Sequence, residues 1–193
     1  MFDFEKPITL APAAGGNCLV PSALRTADLI VSTTGSWVSG AIRIGTKAVV
    51  SHALLCINSS EVVEAIGEGV VRRSIDAAVE HGSLAVAYRV PNLDIGTASK
   101  VVNWAVSRVG TRYSEKGALV SADKLLCRVV GPQPGGFFCS QLVIEAFKQA
   151  GVNLTELPSQ CVTPGDVSKI AIERLKYVGH LKGDPAWFPI ISP

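Results

Sequence analysis

The sequence predicts an α+β fold, a mostly antiparallel sheet or half-barrel packed against helices. Strand-like segments cluster in the first half of the chain and helix-like stripes in the second. Two early strands are joined by a short polar turn, the pattern of a hairpin. At 193 residues, 48% apolar and 18% charged, the chain can build one substantial core and is too short for two comfortable domains.

Residues 1–24 are rich in Pro, Ala and Gly and read as a loosely structured lead-in, leaving 25–193 as a single domain. The apolar run 27–32 (ADLIVS) predicts a strand; 33–45, with Trp37 and Arg43, reads as a loop or short helix. Residues 48–57 (AVVSHALLCI) form the next strand. Turn chemistry at 58–61 follows, then strands at 62–66 and 70–75 punctuated by Gly67 and Gly69. Residues 76–81 read as one or two helical turns, and 84–90 as a strand closed by Pro91. Asp94 or Thr97 caps a helix to Val109, with Ile95, Ala98, Val101, Val102, Ala105 and Val109 on one stripe and Gly110 ending it. A second striped helix is expected at 121–130. Residues 131–136 (GPQPGG) break regular structure. The strongest helix spans 138–150 and stops at Gly151. Thr163 and Pro164 open another as N-cap and first helical residue, and a last strand is expected at 175–179.

The formal charge of +2, with no dense Lys/Arg stripe, argues against a nucleic-acid partner. No run reaches the roughly 18 apolar residues of a spanning helix, so no transmembrane segment is expected. The N-terminus MFDFEKP lacks a basic start followed by an apolar run, which argues against a secretory signal and against a lipid attached at Cys18. The expected location is the cytoplasm of the producing cell, or export by a route that needs no signal. Five cysteines, Cys18, Cys56, Cys127, Cys139 and Cys161, include no CxxC pair. The odd count predicts free thiols, with neither a disulfide framework nor a zinc knuckle. No metal or organic cofactor is expected.

The most informative segment is 135–143 (GGFFCSQLV). A Gly-rich loop runs into Cys139 at the first turn of an amphipathic helix. Unpaired N–H groups and the helix dipole there favour a thiolate and can receive an oxyanion. The other four cysteines read as packing or loop residues. A thiolate nucleophile needs a base. Of the three histidines, His81 and His180 have turn or surface surroundings, and His52 lies in a strand.

Ser51-His52-Ala53-Leu54-Leu55-Cys56-Ile57, a polar turn, then Val62-Val63-Glu64-Ala65 resembles the histidine hairpin of NlpC-type papain-like hydrolases. Phe138-Cys139-Ser140-Gln141-Leu142-Val143 resembles that family's cysteine helix. The histidine precedes the cysteine, as in the circularly permuted branch. Ala27-Asp28-Leu29-Ile30, Val109-Gly110-Thr111-Arg112-Tyr113 and Thr163-Pro164-Gly165-Asp166-Val167 resemble further segments of its YiiX/YaeF-like group. Ala27 stands where that group has Gly, and Ser114 where it has Asp. The Asn-Cys-Glu-His motif of the related lecithin–retinol acyltransferases is absent.

The resemblance implies a cysteine peptidase or amidase with Cys139 as nucleophile, His52 as base and Glu64 as the residue that orients it. Residue counting leaves Glu64 open, because a tight two-residue turn at Ser59-Ser60 places it opposite Leu55; Glu68 is the rival. Ser140, Tyr113 and Phe138 are expected at the substrate pocket or oxyanion site. The implied substrates are a peptide, a peptidoglycan fragment or an acyl or lipid group, and an exported effector would add an immunity or secretion partner. The alternatives are a papain-like binding module without turnover and a secreted envelope-targeting lipid hydrolase or acyltransferase.

Overall fold

A computed structural model describes residues 19–33, 50–82, 84–130 and 135–183. Cys18, Trp37, Arg43 and the expected loop or short helix at 33–45, apart from Thr33, lie outside the described residues. Within them, six strands form one antiparallel sheet in the order β4-β3-β2-β1-β5-β8. These are β1 (Leu29–Thr33), β2 (His52–Cys56), β3 (Glu61–Ile66), β4 (Gly69–Ser74), β5 (Leu84–Arg89) and β8 (Lys176–Gly183). A short parallel pair, β6 (Arg112–Tyr113) with β7 (Gly136–Phe137), stands apart.

Both faces of the sheet are covered, which is why β1 and β2 read as continuous apolar runs and not as alternating ones. On one face Leu29, Val31, Ala53, Leu55, Val63 and Ala65 pack against α2 (Ile95–Val106) and α5 (Cys139–Gln149). Leu142, Val143 and Phe147 of α5 are fully buried there. Each contributes about 1.5–3 kcal/mol of burial free energy, so α5 is fixed on the sheet by its own stripe. On the other face Ile30, Leu54, Cys56, Val62, Ala85 and Ala87 meet Leu24 and Ile75, the latter from α1 (Ile75–Val79).

The N-terminal lead-in is ordered earlier than residue 25. Leu19 N–H bonds the His180 carbonyl at 2.7 Å, residues Pro21–Ala23 form a 3-10 turn, and Leu24 is buried. The helix expected at 121–130 forms as α4 (Lys124–Val130), and a further short helix that the sequence pattern did not predict, α3 (Glu115–Val120), precedes it. Ser114 accepts from Gly117 N–H to open α3, and Asp123 Oδ1 accepts from the amides of Leu125 and Leu126 to open α4. Those side chains satisfy the helix-end amides locally, so the chain restarts instead of continuing. On α4 the apolar residues Leu125, Leu126 and Val129 face outward.

The expectation of free thiols is corrected at two positions. Cys127 on α4 and Cys161 in the 3-10 turn Ser159–Cys161 form a disulfide, with Cα atoms 5.5 Å apart. Only folding brings these residues, 34 apart in sequence, within bonding reach. The C-terminal helix α6 (Pro164–Arg174) begins as expected, with a Thr163/Asp166 capping box and Pro164 in its first turn.

Candidate active site

Cys139 is the first residue of α5. Phe138 ahead of it is extended, and β7 delivers the chain by pairing alongside β6. Gly136 makes that pairing possible, since a Cβ there would lie 2.7 Å from the Arg112 carbonyl oxygen. Ser140 does not present its side chain to a substrate. Its hydroxyl donates to the Val162 carbonyl at 2.7 Å and ties the start of α5 to the segment after the 3-10 turn. Its backbone N–H instead donates to the Cys139 sulfur.

His52 is the first residue of β2 and sits across from Ser32 of β1. The ladder between β2 and β3 consists of Leu55↔Val63 and Cys56↔Val62 and ends before His52. Cys56 N–H bonds toward β1, to the Asp28 carbonyl, so by alternation Ala53 N–H points toward β3. It donates there to the Cys139 sulfur. The parting of the two strands is therefore where the Cys139 sulfur docks.

Glu64 is buried on β3, and its Oε2 lies 2.6 Å from His52 Nε2. The turn explains how it gets there. Ile57 N–H bonds the Glu61 carbonyl across a three-residue loop, and Asn58 Oδ1 accepts from the amides of Ser60 and Glu61. Continuing the observed register puts Glu64 level with Leu54, which shares a face with His52. The two-residue loop considered from sequence would put it level with Leu55, on the opposite face. A slip of one residue reverses every side chain of a strand, so turn length decides whether the carboxylate meets the imidazole. Glu68 lies exposed in the β3–β4 turn and does not reach His52 as a tight hairpin would require.

With Nε2 held by Glu64, Nδ1 is the ring nitrogen left for the thiol. Burial would lower the His52 pKa, but the Cys139 thiolate and the bonds to Cys139 and Glu64 outweigh it, and the pKa rises from 6.5 to about 10. Burial would likewise raise the Cys139 pKa. The charge and hydrogen bond of His52, with the Ala53 and Ser140 amides, bring it below the usual thiol value. Both shifts describe one species, a buried thiolate–imidazolium pair.

Tyr113 is half-buried beside this pair. Burial first, then the charge of Cys139, pushes its phenol pKa up, so the hydroxyl stays a neutral donor. Phe138 is fully buried against Ala118 and Tyr113, a packing position and not an open pocket wall. Sequence reasoning missed three features: the Ala53 amide, Ser32 and Arg73. Ser32 is buried with a hydroxyl that has no hydrogen-bond partner. Arg73 of β4 donates from Nη1 to Glu64 Oε1 at 3.3 Å. Strand alternation could have placed Arg73 on the Glu64 face once the β3–β4 hairpin register was known.

A concavity of about 370 Å³ lies at the opposite end of β1, lined by Arg25, Asp28, Arg89, Leu93, Ile95 and Ser99. Among the described residues no group of three or more His, Cys, Asp and Glu side chains is arranged to hold a metal ion, and no helix is long and apolar enough to cross a membrane.

No protein-family model matches the sequence. The chain is 29% identical to an Escherichia coli (strain K12) protein named probable lipoprotein peptidase YaeF, over 82% of this chain and 71% of that one. Its structure is similar to the solved structure of the metalloprotein yiiX from Escherichia coli O157:H7. The TM-score is 0.53 and the identity 22%, covering 84% of this chain and 89% of that one. At that identity the second likeness speaks to the fold. The first corrects the expected location: a relative named as a lipoprotein points to the cell envelope and away from the cytoplasm.

Proposed function

We propose that this chain, similar in sequence to YaeF and in fold to yiiX, is a cysteine hydrolase of the YiiX/YaeF-like group cleaving an amide or other acyl bond. The observation that carries the proposal is the convergence of Cys139, His52 and Glu64 from three separate elements into one buried, hydrogen-bonded site. Peptidase in the relative's name favours a peptide amide, with an envelope peptide, such as a peptidoglycan stem, as the first candidate. The Cys127–Cys161 disulfide fits the same setting, because such bonds persist in oxidising compartments.

The chemistry follows from the geometry. The Cys139 thiolate adds to the carbonyl carbon, and the negative oxygen that forms is received by the N–H of Cys139 at the helix start. His52, as imidazolium, gives its Nδ1 proton to the leaving amine as the C–N bond breaks, leaving a thioester on Cys139. The neutral ring then takes a proton from water, whose oxygen attacks the thioester carbonyl. Collapse expels the thiolate, releases the acid and restores the ion pair. Glu64 holds the ring in the required tautomer throughout and stabilises its charged form. Activity therefore rises at a pH below the ordinary thiol value and falls as His52 loses its proton near pH 10.

The test is incubation of the protein and of Cys139→Ala with muropeptides and, separately, with phospholipid and lipopeptide extracts, followed by mass spectrometry. Fragments released from muropeptides by the wild type alone support the peptide amidase reading. Release from the lipid extracts alone moves the substrate to acyl groups. Release by neither supports a binding module without turnover.

A further inference from the structure

We infer that Arg73 is a positioning residue of the site, holding the Glu64 carboxylate aimed at His52. The inference rests on the proposed Cys139–His52 chemistry and deepens it. Each oxygen of the buried Glu64 carboxylate has one cationic partner, His52 on Oε2 and Arg73 on Oε1. The other arm of the guanidinium, Nη2, donates to the Ala77 carbonyl of α1 at 3.1 Å. Arg73 thus spans from a helix carbonyl to the carboxylate and restrains it from the side opposite the imidazole.

The neighbouring Arg72 supplies a built-in contrast. In the antiparallel hairpin Arg73 lies opposite Val62 and Arg72 opposite Val63, so the two point to opposite faces. Arg72 pairs with Glu61 at the surface, where an ion pair contributes little. Arg73 pairs with a carboxylate that is only 2% exposed.

Counting charges shows what Arg73 does for the sulfur. Among the described residues the site holds two anions, Cys139 and Glu64, and two cations, His52 and Arg73. A further titratable group among them beside the sulfur, Tyr113 from β6, is neutral. From α1 the site receives the uncharged Ala77 carbonyl. Removing the guanidinium charge leaves a buried excess of one negative charge. A proton taken up at the sulfur relieves it, at the cost of the thiolate.

The experiment measures iodoacetamide alkylation of Cys139 against pH, by peptide mass spectrometry, in wild type, Arg73→Gln, Arg73→Lys, Arg72→Gln and His52→Ala. Arg73→Gln is expected to move the midpoint of the profile up by about one pH unit or more. Arg73→Lys, which keeps the charge, and Arg72→Gln are expected to follow the wild type. A role in packing alone would lower the melting temperature and leave the midpoint in place. An Arg73→Gln profile superimposed on the wild type overturns the inference, as does an Arg73→Lys profile displaced as far as that of Arg73→Gln. If Arg73→Gln does not fold, Arg73→Met, which also removes the charge, is read in its place: an upward shift of about one unit or more supports the inference and a wild-type midpoint overturns it. A wild type that reacts no faster than His52→Ala is a different failure, that of the Cys139–His52 reading itself.

Discussion

Cys139 and Cys56 are both buried, and neither is joined to another cysteine. Their thiols are driven in opposite directions. Cys139 sits against an imidazolium and two backbone N–H donors and is brought below the ordinary thiol value. Cys56 has burial, then the Asp28 carboxylate, pushing its pKa up, with Arg89 offsetting only part of that. Asp28 is itself held by Arg89 through two hydrogen bonds of 2.7 and 2.6 Å and by the Arg25 amide at 2.8 Å. One end of the sheet thus surrounds a sulfur with positive charge and donors, and the other surrounds one with a carboxylate. Burial does not set these two thiols apart; the sign of the neighbouring charge does.

The largest expected consequence is in reactivity. At pH 7 Cys139 should be alkylated by iodoacetamide well ahead of Cys56, since each pKa unit between them changes the thiolate fraction about tenfold. Peptide mapping of a time course measures the ratio, and His52→Ala should remove most of it. Next comes the disulfide that braces the segment bonded to Ser140. Replacing Cys127 and Cys161 by Ser should cost about 3–4 kcal/mol, from the loop the bond closes. Chemical denaturation reads that loss. At the opposite end of the sheet, Asp28→Asn should cost about 3 kcal/mol by leaving Arg89 without its counter-charge. It should leave Cys139 alkylation unchanged in the folded protein, which separates the two polar clusters. Glu64→Gln keeps a hydrogen-bonding group but loses the charge, so Cys139 alkylation at pH 7 should fall about tenfold. Glu68→Ala, in its exposed turn, should change neither rate nor stability.

The same contrast shows what the sequence could reveal. Cys139 was legible because its signals are local: a Gly-rich approach, a helix start and an apolar stripe lie within one short segment. The strand assignments up to β5 were legible because short apolar runs alternate with turn residues. The joining of His52 to Glu64 came from resemblance to a family, since the geometry turned on one residue of hairpin loop length. Cys127 and Cys161 look as unremarkable in sequence as Cys56; their pairing depends on α4 packing against a distant turn. The edge strand β8 runs to Gly183, past the expected end at 179, with register shifts against β5 that blur its alternation. The expected stripe runs too far at both ends: Ile95 is exposed at the start of α2, and the helix stops at Val106, leaving Val109 exposed beyond it. Arg73 reads in sequence as one of two surface charges, and only the β3–β4 register separates it from Arg72.

The pH dependence of the folded protein follows the two shifts. His52, raised above its ordinary value, adds stability that is complete below pH 6.5 and is lost as pH climbs through about 10. Cys139, lowered, adds stability that is complete above its ordinary 9.0 and is lost as pH falls through its depressed value. The ion pair exists between those two limits.

The most direct measurement is the ultraviolet absorbance of the Cys139 thiolate against pH, taken as wild type minus Cys139→Ser and repeated with His52→Ala in both proteins. The account predicts a wild-type midpoint below 9.0 that moves up when the imidazole is removed. A midpoint at or above 9.0, or one unmoved by His52→Ala, would contradict it.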